Sequence, residues 1–222
     1  MTRTEVFLDK YRPYMPDYLS ELEMGAREHN IPVIGRGTGD IIRYICRTVN
    51  PENVLEIGTA IGFSALFIRE CIPENAHITT IEKIESRYEQ AEINFKNYDK
   101  KGQITLIKED ALDTIERLLE EKKKYGVIFL DAAKGQYITF FPILAELLER
   151  EGVLITDNVF HGGTVMNSRF AVTQRDRTIH TRLREYLQTI TEDERFESVI
   201  LPIDDGIAIS RKTYRGKNSE KA

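Results

Sequence analysis

Short apolar runs of strand length alternate along the chain with segments of helical period. Asn53–Ile57 (NVLEI), His77–Ile81 (HITTI), Ile104–Ile107 (ITLI), 127–130 (VIFL) and 153–156 (VLIT) read as strands. Their β-branched content and unbroken apolarity suit a parallel sheet covered on both faces. Between them lie amphipathic stretches. In 111–124 the residues Leu112, Ile115, Leu118 and Leu119 make one stripe, with Glu116, Glu120, Glu121 and Lys123 largely off it. Segments 88–95 and 140–148 show the same habit. Strand and helix alternating in this way predict a doubly wound α/β sheet.

Both ends depart from that pattern. Residues 1–50 hold no convincing strand and read as two or three helices, interrupted at Pro13, Pro16 and Pro32 and at Gly35, Gly37 and Gly39. At the other end, 198–203 and 207–210 flank Asp204-Asp205-Gly206, and Asp-Gly between apolar runs predicts an antiparallel hairpin. The expectation is one domain over 1–222: a helical extension over 1–50, an α/β core over 51–211, and a basic, disordered tail over 212–222.

Composition narrows the class. The 222 residues are 41% hydrophobic and 30% charged, too apolar for a disordered chain. Cys46 and Cys71 stand alone in helical stretches, which argues against a zinc finger or disulfide scaffold. The N-terminus lacks a signal-peptide core, and no apolar run approaches the roughly 20 residues of a membrane span, so a cytoplasmic protein without a membrane partner is expected. A net charge of −5 argues against a general nucleic-acid coat and leaves room for a local basic patch.

The first strand runs into Glu56-Ile-Gly58-Thr-Ala-Ile-Gly62-Phe-Ser64. Glycines at a strand's C-terminal end let a ligand approach the backbone. Glu82 closes the second strand 24 positions after Gly58, where a carboxylate accepts from ribose hydroxyls. Glu56, two residues before the first glycine, would repel a pyrophosphate and suits a cationic amino-acid moiety instead. Ribose, amino acid and sulfonium without phosphate describe S-adenosylmethionine. Asp110, at the end of the third strand, reads either as the N-cap of the next helix or as a contact to the adenine amino group, roles that are compatible. An NAD-dependent oxidoreductase fails on Glu56 and on the closing hairpin.

Asp131 ends the fourth strand and Asp157-Asn158 the fifth. Ligands of such sheets bind outside the strands' carboxyl ends, near the switch beside the first strand, so these residues should converge beside Gly58. Three oxygen donors without His or Cys suit a hard cation such as Mg²⁺. The alternative is that they are polar strand ends capping helices. Lys134, one turn on, reads as a base near the cation or as a solvated lysine at a helix start. His161 follows the Asn158 loop without a role that the sequence assigns. A surface position is expected for His29, His77 and His180.

LEIGTAIGFSALFI, IEKIESRYEQAEINF, VIFLDAAKGQY, ITDNV and LPIDDGIAIS together resemble the metal-dependent class I S-adenosylmethionine O-methyltransferases of catechol and caffeoyl-CoA type, over about residues 30–211. Within them, the resemblance is nearest to a bacterial branch that methylates 5-hydroxyuridine at the tRNA wobble position. It implies a Rossmann-like, mostly parallel seven-stranded sheet. It implies Mg²⁺ or Mn²⁺ on Asp131, Asp157 and Asn158. The methyl donor is implied on Ile34, Glu56, Gly58, Ser64, Glu82, Asp110, Ala111 and Asp131, and Lys134 as catalytic base. Phe160-His161 departs from the pattern of relatives and leaves the substrate mouth open to question.

A catechol and a 5-hydroxyuridine both present a hydroxyl beside a second oxygen, so these motifs suit either acceptor. Five arginines against one acid, Asp176, in 166–184 favour RNA, with Arg175 and Arg177 as candidate phosphate contacts and an anticodon loop as partner. The alternatives are a solvated helix and a small catechol-like substrate. A non-catalytic RNA-binding module would not need the donor and metal motifs. Phe7, Tyr11, Tyr14, Tyr18 and Leu22 in the extension lead to an expected homodimer contact.

Overall fold

The computed structural model describes residues 3–213. Seven strands form one sheet: β1 (Asn53–Ile57), β2 (His77–Ile81), β3 (Ile104–Ile107), β4 (Tyr125–Leu130), β5 (Leu148–Thr156), β6 (Phe196–Leu201) and β7 (Ile207–Lys212). Their spatial order is β3-β2-β1-β4-β5-β7-β6. The pairs from β3 to β5 are parallel, and β7 runs antiparallel to both β5 and β6. The expected sheet and closing hairpin are both present. The order reverses between β1 and β4, the crevice where such sheets bind ligands.

Eight α-helices complete the described chain: α1 (Arg3–Asp9), α2 (Asp17–Glu28), α3 (Arg36–Val49), α4 (Phe63–Arg69), α5 (Glu85–Tyr98), α6 (Ala111–Glu120), α7 (Tyr137–Leu147) and α8 (Arg177–Glu192). Strand alternation sorts the core into two layers. Leu55, Ile57, Ile128, Leu130 and Leu154 face Ile115, Phe141, Leu144, Leu183 and Tyr186 of α6–α8. Val54, Val127, Phe129 and Ile155 face Leu19, Ile42, Cys46, Leu66 and Ala91 of α2–α5. No helix among the described residues is long and apolar enough to cross a membrane.

The first fifty residues are therefore less of an extension than expected, because α2 and α3 supply the covering layer of one sheet face. Gly37 and Gly39 lie inside α3 instead of interrupting it. They serve close packing: a Cβ on Gly37 would stand 2.5 Å from Ile203 Cγ2, and one on Gly39 would stand 3.3 Å from Phe67. His180 is also corrected. It is buried, its Nε2 lies 3.0 Å from the Asn167 carbonyl, and its Nδ1 has no partner among the described residues. His29 is exposed as expected, and His77 is half-buried with its Nε2 2.8 Å from Thr105 Oγ1. Of the predicted tail, Arg211 and Lys212 belong to β7, and residues 214–222, with Arg215, Lys217 and Lys221, lie outside the described residues.

Candidate active site

Register places the chemistry. Ile57 pairs with Ile81 and with Leu130, and Leu130 pairs with Thr156. The next residue of each strand, Gly58, Glu82, Asp131 and Asp157, therefore emerges at one level of the sheet. Main-chain bonds extend the ladder there: Gly58 N donates to Ile81 O at 3.0 Å, Asp131 N to Ile57 O at 2.9 Å, and Asp157 N to Leu130 O at 3.0 Å. Gly58 has φ +102°, and a Cβ there would sit 2.0 Å from the Asp131 carbonyl, so only glycine fits this turn.

Above these ends lies a cavity of about 560 Å³. Gly58, Ser64 and Glu82 form part of its wall, Asp110 and Ala111 another part, and Ile34 a third. Asp131, Lys134, Asp157 and Asn158 also line it. The structure thus brings together every site residue expected from sequence apart from Glu56 and the two arginines.

Glu82 is fixed by the main chain. Its Oε1 accepts from Lys83 N (3.0 Å) and Ile84 N (2.9 Å), and its Oε2 accepts from Ala60 N (3.1 Å). Asp110 is the N-cap of α6, accepting from Leu112 N at 2.9 Å, and its other oxygen accepts from Lys83 Nζ at 3.0 Å. The Lys83 bond and that main-chain N–H hold its carboxyl below the usual range. Both readings of Asp110 are compatible with this geometry, since it caps the helix and lines the cavity.

Glu56, expected to suit a cationic amino-acid moiety, is fully buried and does not itself line the cavity. Thr80 Oγ1 donates to its Oε2, and Oε1 is without a partner. Burial pushes its pKa up to about 7; the Ser64 and Thr80 hydroxyls oppose the rise, and the Asp131 and Glu82 charges add to it. Hydrophobic spacing carried no sign that a strand-end acid would point inward, because Glu56 stands within an apolar run on the covered sheet.

On the opposite side, the buried Asp157 lies beside the half-buried Asp131. Burial raises both carboxyls, Asp157 to about 7, with the Asp131 charge the next cause. Thr38 Oγ1 (3.3 Å) and Asn158 N (2.7 Å) donate to Asp157 Oδ1. Lys134 Nζ donates to Asn158 Oδ1 at 3.0 Å. Among the described residues no group of three or more His, Cys, Asp or Glu is arranged to hold a metal. The set here is two carboxylates and one amide oxygen. It fits a hard cation completed by water, and such a charge would relieve the repulsion between the two acids.

Two supporting residues escaped sequence reasoning. Thr38 comes from the helical extension, and the Tyr137 hydroxyl, fully buried, donates to the Asp157 carbonyl at 3.2 Å. Tyr137 lies in the GQY of the third motif and was legible only as part of that string. His161 Nε2 lies 3.9 Å from the Asp176 carboxylate.

The arginines divide. Arg177, expected to face RNA, donates through Nε to the Val172 carbonyl at 3.3 Å. Arg182 donates to Gly135 O at 2.9 Å and Arg184 to Val165 O at 3.1 Å. These three hold neighbouring loops to α8. Arg169 and Arg175 are exposed, as is Phe170 at 93%.

The family model described as O-methyltransferase matches residues 11–213. The chain belongs to the O-methyltransferase family. Among relatives in this family, a caffeoyl-CoA O-methyltransferase of Stellaria longipes is 26% identical over 207 residues, 91% of this chain and 86% of that one. A Staphylococcus aureus structure, named as a candidate caffeoyl-CoA O-methyltransferase, superposes with TM-score 0.84 at 32% identity, covering 95% of this chain and 98% of its own. The Podospora anserina methyltransferase PaMTH1, crystallised with SAH, gives TM-score 0.83 at 25% identity, covering 95% and 94%.

Proposed function

We propose that the chain transfers a methyl group from S-adenosylmethionine to a hydroxyl that stands beside a second oxygen, with a divalent cation such as Mg²⁺ or Mn²⁺ at Asp131, Asp157 and Asn158. The observation that carries this reading is one cavity holding Gly58, Ser64 and Glu82 together with Asp131, Lys134, Asp157 and Asn158. In this reading Glu82 takes the ribose hydroxyls, Asp110 and Ala111 the adenine, and Ile34 the methionine end. Glu56 acts from behind the wall, through Ser64, on the methionine end of the cosubstrate.

A bound cation would act as a Lewis acid that lowers the hydroxyl pKa and orients the acceptor. The chain's own part is positioning. Lys134 Nζ, held 3.0 Å from Asn158 Oδ1, stands beside the acceptor oxygens and takes the hydroxyl proton. Tyr137 and Thr38 keep Asp157 in place. The oxygen then attacks the sulfonium methyl in line, so bringing two bound reactants together supplies most of the rate.

For the acceptor, the relatives' names support a small phenolic or catechol-type molecule, and that is the reading we adopt. A second reading, 5-hydroxyuridine in a tRNA anticodon loop, keeps support from Arg169, Arg175 and Phe170, which are exposed in the segment that follows the Asn158 loop. One competition assay separates them: turnover of a free catechol against tRNA bearing 5-hydroxyuridine, each with and without EDTA. Full activity without metal on either acceptor removes the chelation reading.

We further propose that the chain acts as a homodimer, supported by Val6, Phe7, Tyr11 and Tyr14, all more than half exposed on the N-terminal segment.

A further inference from the structure

The turn between β6 and β7, residues 202–206, gathers two other segments of the chain. Asp204 Oδ2 accepts from Thr38 N at 2.7 Å, in the first turn of α3. Thr38 in turn donates its hydroxyl to Asp157 Oδ1. The approach is so close that a Cβ on Gly35 would overlap the Asp204 carboxylate at 2.2 Å. The neighbouring Asp205 reaches the other way. Both its carboxylate oxygens accept from Gly162 N, at 2.8 and 3.0 Å. Its carbonyl accepts from Phe160 N, and the Gly206 carbonyl accepts from Val159 N, each at 3.0 Å.

These bonds bracket the Asp157-Asn158 turn. That turn needs external support, since Asn158 (φ 53°) and His161 (φ 48°) both occupy the left-handed region. Asp204 itself pays the same conformational cost at φ 49°. The hydrogen bonds that fix the donor half run elsewhere: Glu82 is held by Ala60, Lys83 and Ile84, with no bond to residues 202–206.

We propose that Asp204 and Asp205 are positioning residues for the acceptor half of the site. Asp204 acts through α3 and Thr38, Asp205 through Gly162, and together they fix the oxygens of Asp157 and Asn158 with no hydrogen bond to Glu82 or to the Gly58 loop among the described residues. The inference rests on the reading of those oxygens as cation ligands. Partners of metal ligands characteristically change cation affinity 10- to 100-fold when removed.

The test uses the full chain with Asp204→Ala, Asp205→Ala and Asp204→Asn. Mn²⁺ affinity and S-adenosylmethionine affinity are measured by calorimetry, and amide exchange is followed over residues 58–64 and 157–162. The expected result is Mn²⁺ binding weakened by about 10-fold or more in each alanine variant, with donor affinity unchanged. Asp204→Asn should recover most of the loss, because its amide oxygen still accepts from Thr38 N. Exchange at 158–162 should rise on the order of tenfold in Asp205→Ala, the scale of one lost charge-assisted hydrogen bond, and stay constant at 58–64. Equal loss of donor and Mn²⁺ binding would reduce the turn to a general scaffold and overturn the proposal. Unchanged Mn²⁺ affinity and unchanged exchange would overturn it as well. If the wild-type chain takes up no Mn²⁺, the cation reading fails separately, and the exchange experiment still decides whether the turn holds residues 158–162.

Discussion

Replacing Glu82 by glutamine tests the donor half with little change of shape. The carboxylate has about four acceptor positions, and main-chain N–H groups of Ala60, Lys83 and Ile84 take three of them. The remaining position is the one assigned to the ribose. In Glu82→Gln the amide oxygen can still serve Lys83 and Ile84, while the NH₂ meets Ala60 N, donor against donor. Two losses follow. The ribose contact loses a charge-assisted acceptor, about 1.5–3 kcal/mol, or roughly 10- to 150-fold in affinity. Ala60 N loses its partner, about 1–2 kcal/mol of stability, which lowers the melting temperature by roughly 2–8 °C for a chain of this size. Glu82→Ala would strip all three main-chain bonds and blur the two effects. Calorimetry with S-adenosylmethionine reads the first loss, and a thermal melt of the free protein reads the second. Donor affinity within about twofold of wild type, the scatter of a neutral change, would refute the ribose assignment. A melt lowered as expected with unchanged affinity would leave Glu82 as a support for the Gly58 loop alone.

Asp157→Ala should abolish most turnover while donor binding persists, and EDTA should do the same until Mg²⁺ or Mn²⁺ is restored; colorimetric catechol turnover and calorimetry read both. If the acceptor is tRNA, Arg169→Ala with Arg175→Ala should weaken binding and reduce the salt slope by about one unit per lost phosphate contact, whereas catechol turnover should not respond; Arg177→Ala should instead loosen the Val172 loop. Glu56, pushed up by burial to about 7 from the ordinary 4.5, holds its proton more tightly in the native state. Stability should therefore fall as pH rises from about 4.5 to 7, and the difference between wild type and Glu56→Gln in urea melts at pH 5 and 8 should expose this, about 3 kcal/mol at most; a difference independent of pH would contradict a protonated Glu56. Light scattering at micromolar concentration should report a dimer, and charged replacements at Tyr11 and Tyr14 should shift it to monomer.

The sheet was legible in the pattern of the chain, as were most of the residues that meet at the cavity. Buried parallel strands leave continuous apolar runs, and four of the five runs here end on a residue, Gly58, Glu82, Asp131 or Asp157, that breaks the apolarity because it sits where the sheet opens to the cavity. Five such strands and an Asp-Gly hairpin suffice to predict the architecture, and the spacing of the loop glycines and Glu82 suffices to suggest the donor. Several things were decided only by the tertiary structure, because they depend on contacts between residues far apart in the chain. Glu56 looks like an available acid in sequence, yet the covered sheet encloses it. The glycines of 35–39 look like interruptions, yet Gly35 and Gly37 admit the hairpin tip against the start of α3 and Gly39 admits Phe67. Arg177 and its neighbours look like a basic surface, and Arg177, Arg182 and Arg184, although exposed, each also hold a loop carbonyl up to 47 positions away. Thr38 bonds across 119 positions to Asp157, and Asp204 across 166 to Thr38. Local patterning fixes which face of a strand or helix is buried; which polar group meets which is settled only when the layers close.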